Sequence, residues 1–441
     1  MTKQLKKICL LLGDILLLHL SLYLTLVIRY QSLDINQLWG RHWPNFLIVF
    51  LIWLMVFYIN NLYSLNIATN NRRLYRLLTN SALVASALSA LYFYLNVRSE
   101  IAPKTNLLIF IIIFTLLFLG WRRLFNLIVR TYLPKNNLAI VGDKPSVASL
   151  IENLKAHPHW GYQAAIIIRN QSALDNLPVL VKDRRIKTIV IADNLGTPEK
   201  LNQALFDCLN LQLDYYNFPD FYELLTGKIP VEEIDQSWFI DNLNAGQKNG
   251  FRIAKRIFDF ILALLILIIS LPFWPLIALA IRLNGRGPIF FHQDRLGQNG
   301  QTFSLWKFRS MRVSNNDFSP TLENDQRITP IGRFLRQTRL DEIPQVINIL
   351  KNEMSFIGPR PERPDLAEYL GQKITFYRTR LLLKPGLTGW DQISGQYHSP
   401  SLEDTWEKLQ YDLFYLKHRS LYLDLTIALK TLAIIFSRAG R

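Results

Sequence analysis

The chain has 441 residues, half of them apolar and 19% charged, with a mean hydropathy of +0.12. That is too apolar for an ordinary soluble protein and too charged for a pure transporter, so a membrane part plus two domains of roughly 100 to 150 residues is expected. Fifty Lys and Arg against 34 Asp and Glu give a formal charge of +16, suiting an anionic partner such as lipid headgroups, phosphates or nucleic acid, while two cysteines, Cys9 and Cys208, exclude a disulfide framework and a cysteine metal site.

Four apolar runs, about 8–28, 45–63, 80–97 and 107–127, are each long enough to cross a ~30 Å hydrocarbon core. They are read as four transmembrane helices; no signal-peptide cleavage pattern is evident. Basic clusters at Lys3, Lys6 and Lys7, at Arg72, Arg73 and Arg76, and at Arg122, Arg123 and Arg130 flank these runs. The positive-inside rule puts all three in the cytoplasm. Asp14 and His19 fall inside the first run, as functional intramembrane groups or as packing partners.

From Asn137 to about Asp220 the pattern becomes short β-branched runs, Leu138 to Val141, Ala164 to Ile168, Thr188 to Ile191 and Leu211 to Tyr216, separated by helical stretches. A small parallel α/β domain is expected. Its first strand runs into Val141-Gly142-Asp143-Lys144-Pro145-Ser146, where only the first glycine of a dinucleotide fingerprint is present, so a regulatory or dimerising module is favoured over NAD binding. Residues 241–250 are polar with two glycines and make the clearest linker.

Ile257 to Ile281 is apolar apart from Asp259, and Ser270, Pro272 and Pro275 lie at its middle. Each proline removes a backbone donor and clashes with the preceding turn, so a sharp bend is predicted. Lys255 and Arg256 on one side and Arg282 and Arg286 on the other make both ends cytoplasmic, the pattern of a re-entrant hairpin. The last stretch, Leu421 to Phe436, carries Asp424 and Lys430 on an apolar run, either an in-plane amphipathic helix or a core helix.

Residues 285–400 are dense in Gly, Pro, Arg and carboxylates. Four segments stand out: Gly287-Pro288-Ile289-Phe290-Phe291-His292-Gln293-Asp294-Arg295-Leu296-Gly297; Phe303 to Met311, with Lys307-Phe308-Arg309-Ser310-Met311; Arg336-Gln337-Thr338-Arg339-Leu340-Asp341-Glu342-Ile343-Pro344-Gln345 running into Asn348; and Met354-Ser355-Phe356-Ile357-Gly358-Pro359-Arg360-Pro361. Arg offers bidentate and Lys point-charge neutralisation of phosphates, so Arg295, Lys307, Arg309, Arg336, Arg339, Arg360 and Arg363 are candidate phosphate-binding residues. Pro344 is tolerated only in a first turn, which predicts a helix starting near Asp341. On these residues alone Asp341 is a helix cap or a functional acid.

Together with Lys384-Pro385-Gly386-Leu387-Thr388-Gly389-Trp390, these segments resemble the bacterial sugar transferase family, the monotopic phosphoglycosyl transferases that load undecaprenyl phosphate. The front end is similar to the family's long form. The resemblance implies that Asp341 is a nucleophile taking a phosphosugar from a UDP-sugar, that Glu342 helps hold Mg2+, and that Ser270, Pro272 and Pro275 form the hairpin break, although here Leu271 separates the Ser and Pro that the family often has adjacent. It implies transfer of a hexose 1-phosphate, with glucose or galactose expected, to undecaprenyl phosphate at the bacterial cytoplasmic membrane, opening polysaccharide synthesis. A homodimer is plausible in the long form, and no nucleic-acid partner is implied.

The expected fold class is membrane α plus α/β: four transmembrane helices in 1–130, a degenerate Rossmann-like domain in 131–245, a re-entrant hairpin in 250–284 and an α/β catalytic domain in 285–441. Two rival functions would make different demands on the sequence. A membrane-anchored nucleotide-sugar dehydratase would need an intact glycine fingerprint and a Tyr-x-x-x-Lys pair. A non-catalytic assembly scaffold would fit loss of the dyad, which is present.

Overall fold

A computed structural model describes residues 3–32, 35–60, 62–63, 72–96, 103–131, 135–192, 198–243, 249–312, 325–393 and 401–436. The chain divides into two compact units, Met1–Phe218 and Pro219–Arg441.

The first unit opens with α1 (Lys3–Tyr30), α2 (Asn36–Ile59), α3 (Arg72–Leu95) and α4 (Pro103–Thr131). All four contain stretches long and apolar enough to cross a membrane. Lipid tails are as apolar as leucine, so such helices associate by close packing rather than by escape from water. An aromatic seam supplies it: Trp53 meets Phe114 edge-on at 4.8 Å, and Phe57 stacks on Phe118 at 4.3 Å. Gly13 lets α1 meet α4, since a Cβ there would lie 2.3 Å from the Trp121 ring. Beside that contact Asp14 pairs with Arg122 at 2.6 Å, both buried, and Arg122 also donates to the Leu62 carbonyl at 2.9 Å. The His19 ring packs against Phe50 at 4.9 Å. Both intramembrane polar residues therefore have packing partners.

Four parallel strands follow in the order β2-β1-β3-β4: β1 (Asn136–Val141), β2 (Tyr162–Ile168), β3 (Ile186–Ile191) and β4 (Asp214–Asn217). Their connections carry α5 (Pro145–Ala156), α6 (Leu177–Asp183) and α7 (Pro198–Phe206). All four strands fall on the expected β-branched runs. In central β1, Leu138 to Val141 are fully buried, as a parallel strand covered on both faces requires.

The second unit begins upstream of the expected linker. It contains α8 (Phe218–Thr226) from Pro219 onward and α9 (Gln236–Asn242), whose N-cap Asp235 accepts from the Trp238 N–H at 3.0 Å. Ile229, Val231, Ile234 and Trp238 share one core with Phe303, Leu305, Val346 and Ile349, so residues 219–242 pack with the C-terminal unit, although sequence grouped them with the Rossmann-like domain. Part of the polar 241–250 stretch, residues 244–248, lies outside the described residues.

Next come α10 (Asn249–Ser270), a 3-10 turn Leu271–Phe273 and α11 (Trp274–Leu283). The break falls where Ser270, Pro272 and Pro275 predict it. Pro272 and Pro275 each sit in the first positions of the element that follows, where a missing N–H costs least. Ser270 Oγ accepts from Trp274 Nε1 at 3.2 Å and donates to the Leu267 carbonyl at 3.3 Å, which ties the two arms across the bend. Taken together, Asn249–Leu283 is a fifth segment long and apolar enough to cross a membrane. With four more upstream, the chain has the make-up of a multi-pass membrane protein.

The rest of the unit is a β5 (Phe290–Leu296) and β6 (Thr302–Phe308) hairpin, then α12 (Pro330–Gln337), a 3-10 turn Leu340–Gln345, α13 (Val346–Leu350), β7 (Ser355–Ile357), α14 (Pro364–Lys373), a 3-10 turn Tyr377–Leu382, β8 (Gly386–Thr388), α15 (Leu402–His418) and α16 (Leu421–Phe436). Strands β7 and β8 pair in parallel. Helix α16 has two faces, with Leu423, Asp424 and Ile427 buried and Leu421, Tyr422 and Leu425 exposed, so it is a core helix and an amphipathic one at once.

Candidate active site

Asp341 and Glu342 lie in the 3-10 turn, not at the start of an α-helix as sequence suggested; α13 begins only at Val346. Pro344 accounts for the difference. Its ring would clash with the carbonyl four residues back, so α geometry cannot extend to Leu340, and tighter turns carry the chain until the proline is passed. Arg339 enters the turn with φ of 58°, in the left-handed region.

The turn is fastened from below by Asn348, which is fully buried. Its Oδ1 accepts from the Trp306 N–H at 3.1 Å, and its Nδ2 donates to the Ser304 carbonyl at 2.8 Å and to Glu353 at 2.7 Å. Helix α13 is thereby stitched to β6, and β6 delivers Lys307, whose Nζ lies 2.7 Å from Glu342 Oε1. Helix α12, which leads into the turn, sits directly on the Ser310 backbone, because a Cβ on Gly332 would lie 1.8 Å from the Ser310 carbonyl oxygen.

A second wall comes from β7 and β8. Gly358 donates its N–H to the Thr388 carbonyl at 2.9 Å and Gly386 donates to the Pro359 carbonyl at 2.9 Å. A Cβ on Gly386 would sit 2.1 Å from Gly358 N, so the two backbones meet at a distance only glycine permits. The loop that follows carries Arg360. Behind it the buried Arg380 donates to the Arg360 carbonyl at 3.1 Å, pairs with buried Asp412 at 2.9 Å, donates to the Tyr377 hydroxyl at 2.9 Å and approaches Glu362 at 3.7 Å.

Within this frame the two carboxylates titrate apart. Burial, then the adjacent Glu342 charge, raise Asp341 to about 6 against the pull of Lys307, Arg336 and Arg339. Burial would raise Glu342 as well, but Lys307, Arg360 and Arg339 hold it down at about 2. Glu342 is thus a fixed anion and Asp341 a buried acid poised near neutral pH. One Asp341 oxygen, Oδ1, is buried without a hydrogen-bond partner among the described residues, an arrangement costly enough to signal a ligand position.

The seven predicted phosphate-binding residues separate into two sets. Lys307, Arg336, Arg339 and Arg360 act on the dyad, with Arg339 3.8 Å from Glu342 Oε2. Arg309 does not gather with them: it is buried and donates to the carbonyls of Ile281, Gly285 and Arg286 at 2.7 to 3.1 Å, so its guanidinium caps the C-terminal end of α11. Arg295 is held by Gln293 at 2.6 Å and the Pro361 carbonyl at 3.3 Å, and Arg363 pairs with Asp365 at 2.6 Å. These last two line the loop after Arg360 rather than the dyad.

Residues 250–438 match the model of the family described as bacterial sugar transferase. The chain is 31% identical to a UDP-glucose:undecaprenyl-phosphate glucose-1-phosphate transferase of Escherichia coli over 310 residues, 67% of either chain. The chain belongs to the bacterial sugar transferase family. This transferase is also 32% identical to a UDP-N-acetylgalactosamine-undecaprenyl-phosphate N-acetylgalactosaminephosphotransferase of Aeromonas hydrophila, over 53% of its own length and 55% of that protein's. An undecaprenyl-phosphate galactose phosphotransferase of Salmonella typhimurium is 34% identical, over 44% of this chain and 42% of that one.

Asn348, Arg380, Asp412 and the pair Arg256 and Asp259 were not assigned supporting roles from sequence. The last two carried a signal, as charges at the mouth of an apolar run. Arg256 donates to the Ile349 and Leu350 carbonyls at 2.7 and 2.9 Å, and Asp259 accepts from the Phe356 N–H at 3.2 Å. Replacing Arg380 by Leu strands buried Asp412 and frees the Arg360 loop. A loss of roughly 3 to 5 kcal/mol is expected, read as a lower thermal midpoint of the full-length transferase in detergent.

Proposed function

We propose that this transferase moves a hexose 1-phosphate, glucose or galactose, from a UDP-sugar to undecaprenyl phosphate with release of UMP, and that Asp341 is the nucleophile. The observation that carries the reading is the buried Asp341 carboxyl beside a permanently ionised Glu342, ringed by Lys307, Arg336, Arg339 and Arg360. Four cations against two carboxylates suit a diphosphate, whose charge must be neutralised before another anion can approach it.

In the proposed sequence Asp341 attacks the sugar-bearing phosphorus and the bond to UMP breaks. The lipid phosphate oxygen then attacks the same phosphorus, and the aspartyl–phosphorus bond breaks. Splitting the transfer in two replaces one difficult displacement by two easier ones through a covalent intermediate, and the surrounding cations screen the anionic partners in each step. The carboxylates fit a magnesium ion, since the ion commonly takes one or two carboxylates plus substrate phosphates and Asp341 Oδ1 has a free acceptor position. Glu342 would hold it, beside Asp341. Among the described residues there is no cluster of three or more His, Cys, Asp or Glu, so phosphates would complete the set. Bound there, the ion supplies charge neutralisation.

The hairpin reading has its own support. Residues 257–270 make about 21 Å of helix and the ten residues of α11 about 15 Å, each short of a ~30 Å core. Both outer ends are fastened to the same unit, α10 through Arg256 and α11 through Arg309. A segment that leaves and returns to one folded body on one side of the bilayer re-enters rather than crosses. On this reading there are four true spans, and the dyad faces the cytoplasm beside the inner leaflet.

Asp341→Asn should abolish UMP release from UDP-glucose or UDP-galactose in the presence of undecaprenyl phosphate; activity within a few-fold of wild type would overturn the nucleophile assignment. Because attack needs the carboxylate, the rate should fall as pH drops through the Asp341 pKa. Lys307 lowers that pKa, so Lys307→Gln should move the acid limb of kcat/KM to higher pH, measured by UMP release across pH 5 to 9, whereas Lys307→Arg should move it less.

A further inference from the structure

Cations gather at the start of α10, outside the dyad. Lys255 reaches Asp424 of α16 at 2.7 Å, while Arg256 reaches the end of α13. Lys384 bonds Asn352, just beyond α13, and Arg419 joins α15 to α16. Arg252 lies one turn before Lys255 and Arg256 and is exposed.

Five cations therefore meet two carboxylates, and both carboxylates are already engaged. Asp424 takes Lys255 and the Tyr415 hydroxyl, the latter at 2.6 Å, and Asp259 takes the Phe356 N–H. The excess is felt electrostatically. Burial first, then Arg256, with Arg252 and Lys255 adding and Asp259 opposing, hold the Lys384 ammonium below its ordinary value. Burial and Arg252 lower Arg419 likewise, against Tyr415. Arg419 Nε is a buried donor without a hydrogen-bond partner among the described residues.

Next to these cations the surface is apolar and uncovered: Tyr422 is 72% exposed, Leu425 56% and Ile253 64%. A basic rim over an apolar strip matches one kind of partner, a molecule with a phosphate at one end and hydrocarbon at the other. The apolar strip excludes a free phosphate as the natural occupant.

We propose that Arg252, Lys384 and Arg419, with the exposed face of α16, bind the headgroup phosphate of an anionic glycerophospholipid, at a site separate from the dyad. The proposal rests on the hairpin reading, which brings the start of α10 to the cytoplasmic headgroups. The phosphodiester would take the half-buried Arg419 guanidinium and the partly desolvated Lys384, with Arg252 at the rim, and the acyl chains would cover Tyr422 and Leu425. A lipid held there would brace the joint between α10, α13 and α16.

The test uses the full-length protein in nanodiscs of equal parts phosphatidylglycerol and phosphatidylcholine, with retained lipids counted by native mass spectrometry after mild extraction. Wild type should retain phosphatidylglycerol in preference. Arg252→Gln with Lys384→Gln should cut that preference by about fivefold per side chain, and Arg252→Lys with Lys384→Arg should keep it. Arg256 stays intact, so the fastening of α10 survives; should the double Gln variant not fold, Arg252→Gln alone, at an exposed position, carries the same fivefold expectation. Equal retention of the two lipids by wild type, or an unchanged preference in the Gln variant, would overturn the proposal. One-for-one displacement of the retained lipid by undecaprenyl phosphate would also overturn it, assigning the site to the lipid substrate. UMP release in the same discs reports on the transfer reaction alone, so a failed nucleophile assignment leaves the lipid preference standing.

Discussion

The two outer ends of the broken apolar helix are tied to one folded unit by arginines that donate to backbone carbonyls. Arg256 grips the last carbonyls of α13, and Arg309 grips the last carbonyls of α11 and the turn beyond it. Helix ends leave four carbonyls without partners, and a guanidinium can satisfy several at once in a planar fork. Each charged bond of this kind contributes roughly 1.5 to 3 kcal/mol. Asn348 then hands the same rigidity to β6 and Lys307, so the position of Glu342 follows from the placement of the apolar helix.

Electrostatics on that frame decide which carboxylate does what. Two adjacent acids in a buried turn cannot both be ordinary anions. Lys307 lies directly on Glu342 and settles the contest in its favour, leaving Asp341 with the burial penalty and its neighbour's repulsion. A permanently charged acid and a poised one side by side is the arrangement that the proposed two-step transfer needs.

Much of this was legible in the sequence, for definite reasons. The strands of the Rossmann-like sheet came from β-branched runs, and the bend at Ser270 to Pro275 came from proline chemistry, which acts locally. The dyad was legible through its ordered neighbours. What could not be read were contacts between residues far apart in the chain. Arg309 lies inside a matched motif yet caps a helix end 24 to 28 residues away, and Arg380 serves Arg360 and Asp412 from opposite directions in sequence. The boundary near residue 219 was hidden because Ile229 to Trp238 look like any short apolar segment until their core partners are known. The 3-10 turn at the dyad was half visible: Pro344 marked a helix start, but not that the start would lie beyond the dyad rather than on it.

The central claim is that Asp341 carries the phosphosugar between donor and lipid. Mixing the purified protein with a UDP-sugar in the absence of any lipid carrier, and measuring UMP on the first turnover, tests it most directly. A burst of one UMP per active site, with the phosphosugar recovered by mass spectrometry on the peptide containing Asp341, is the predicted result. No burst without lipid, or an adduct on a peptide lacking Asp341, would contradict it.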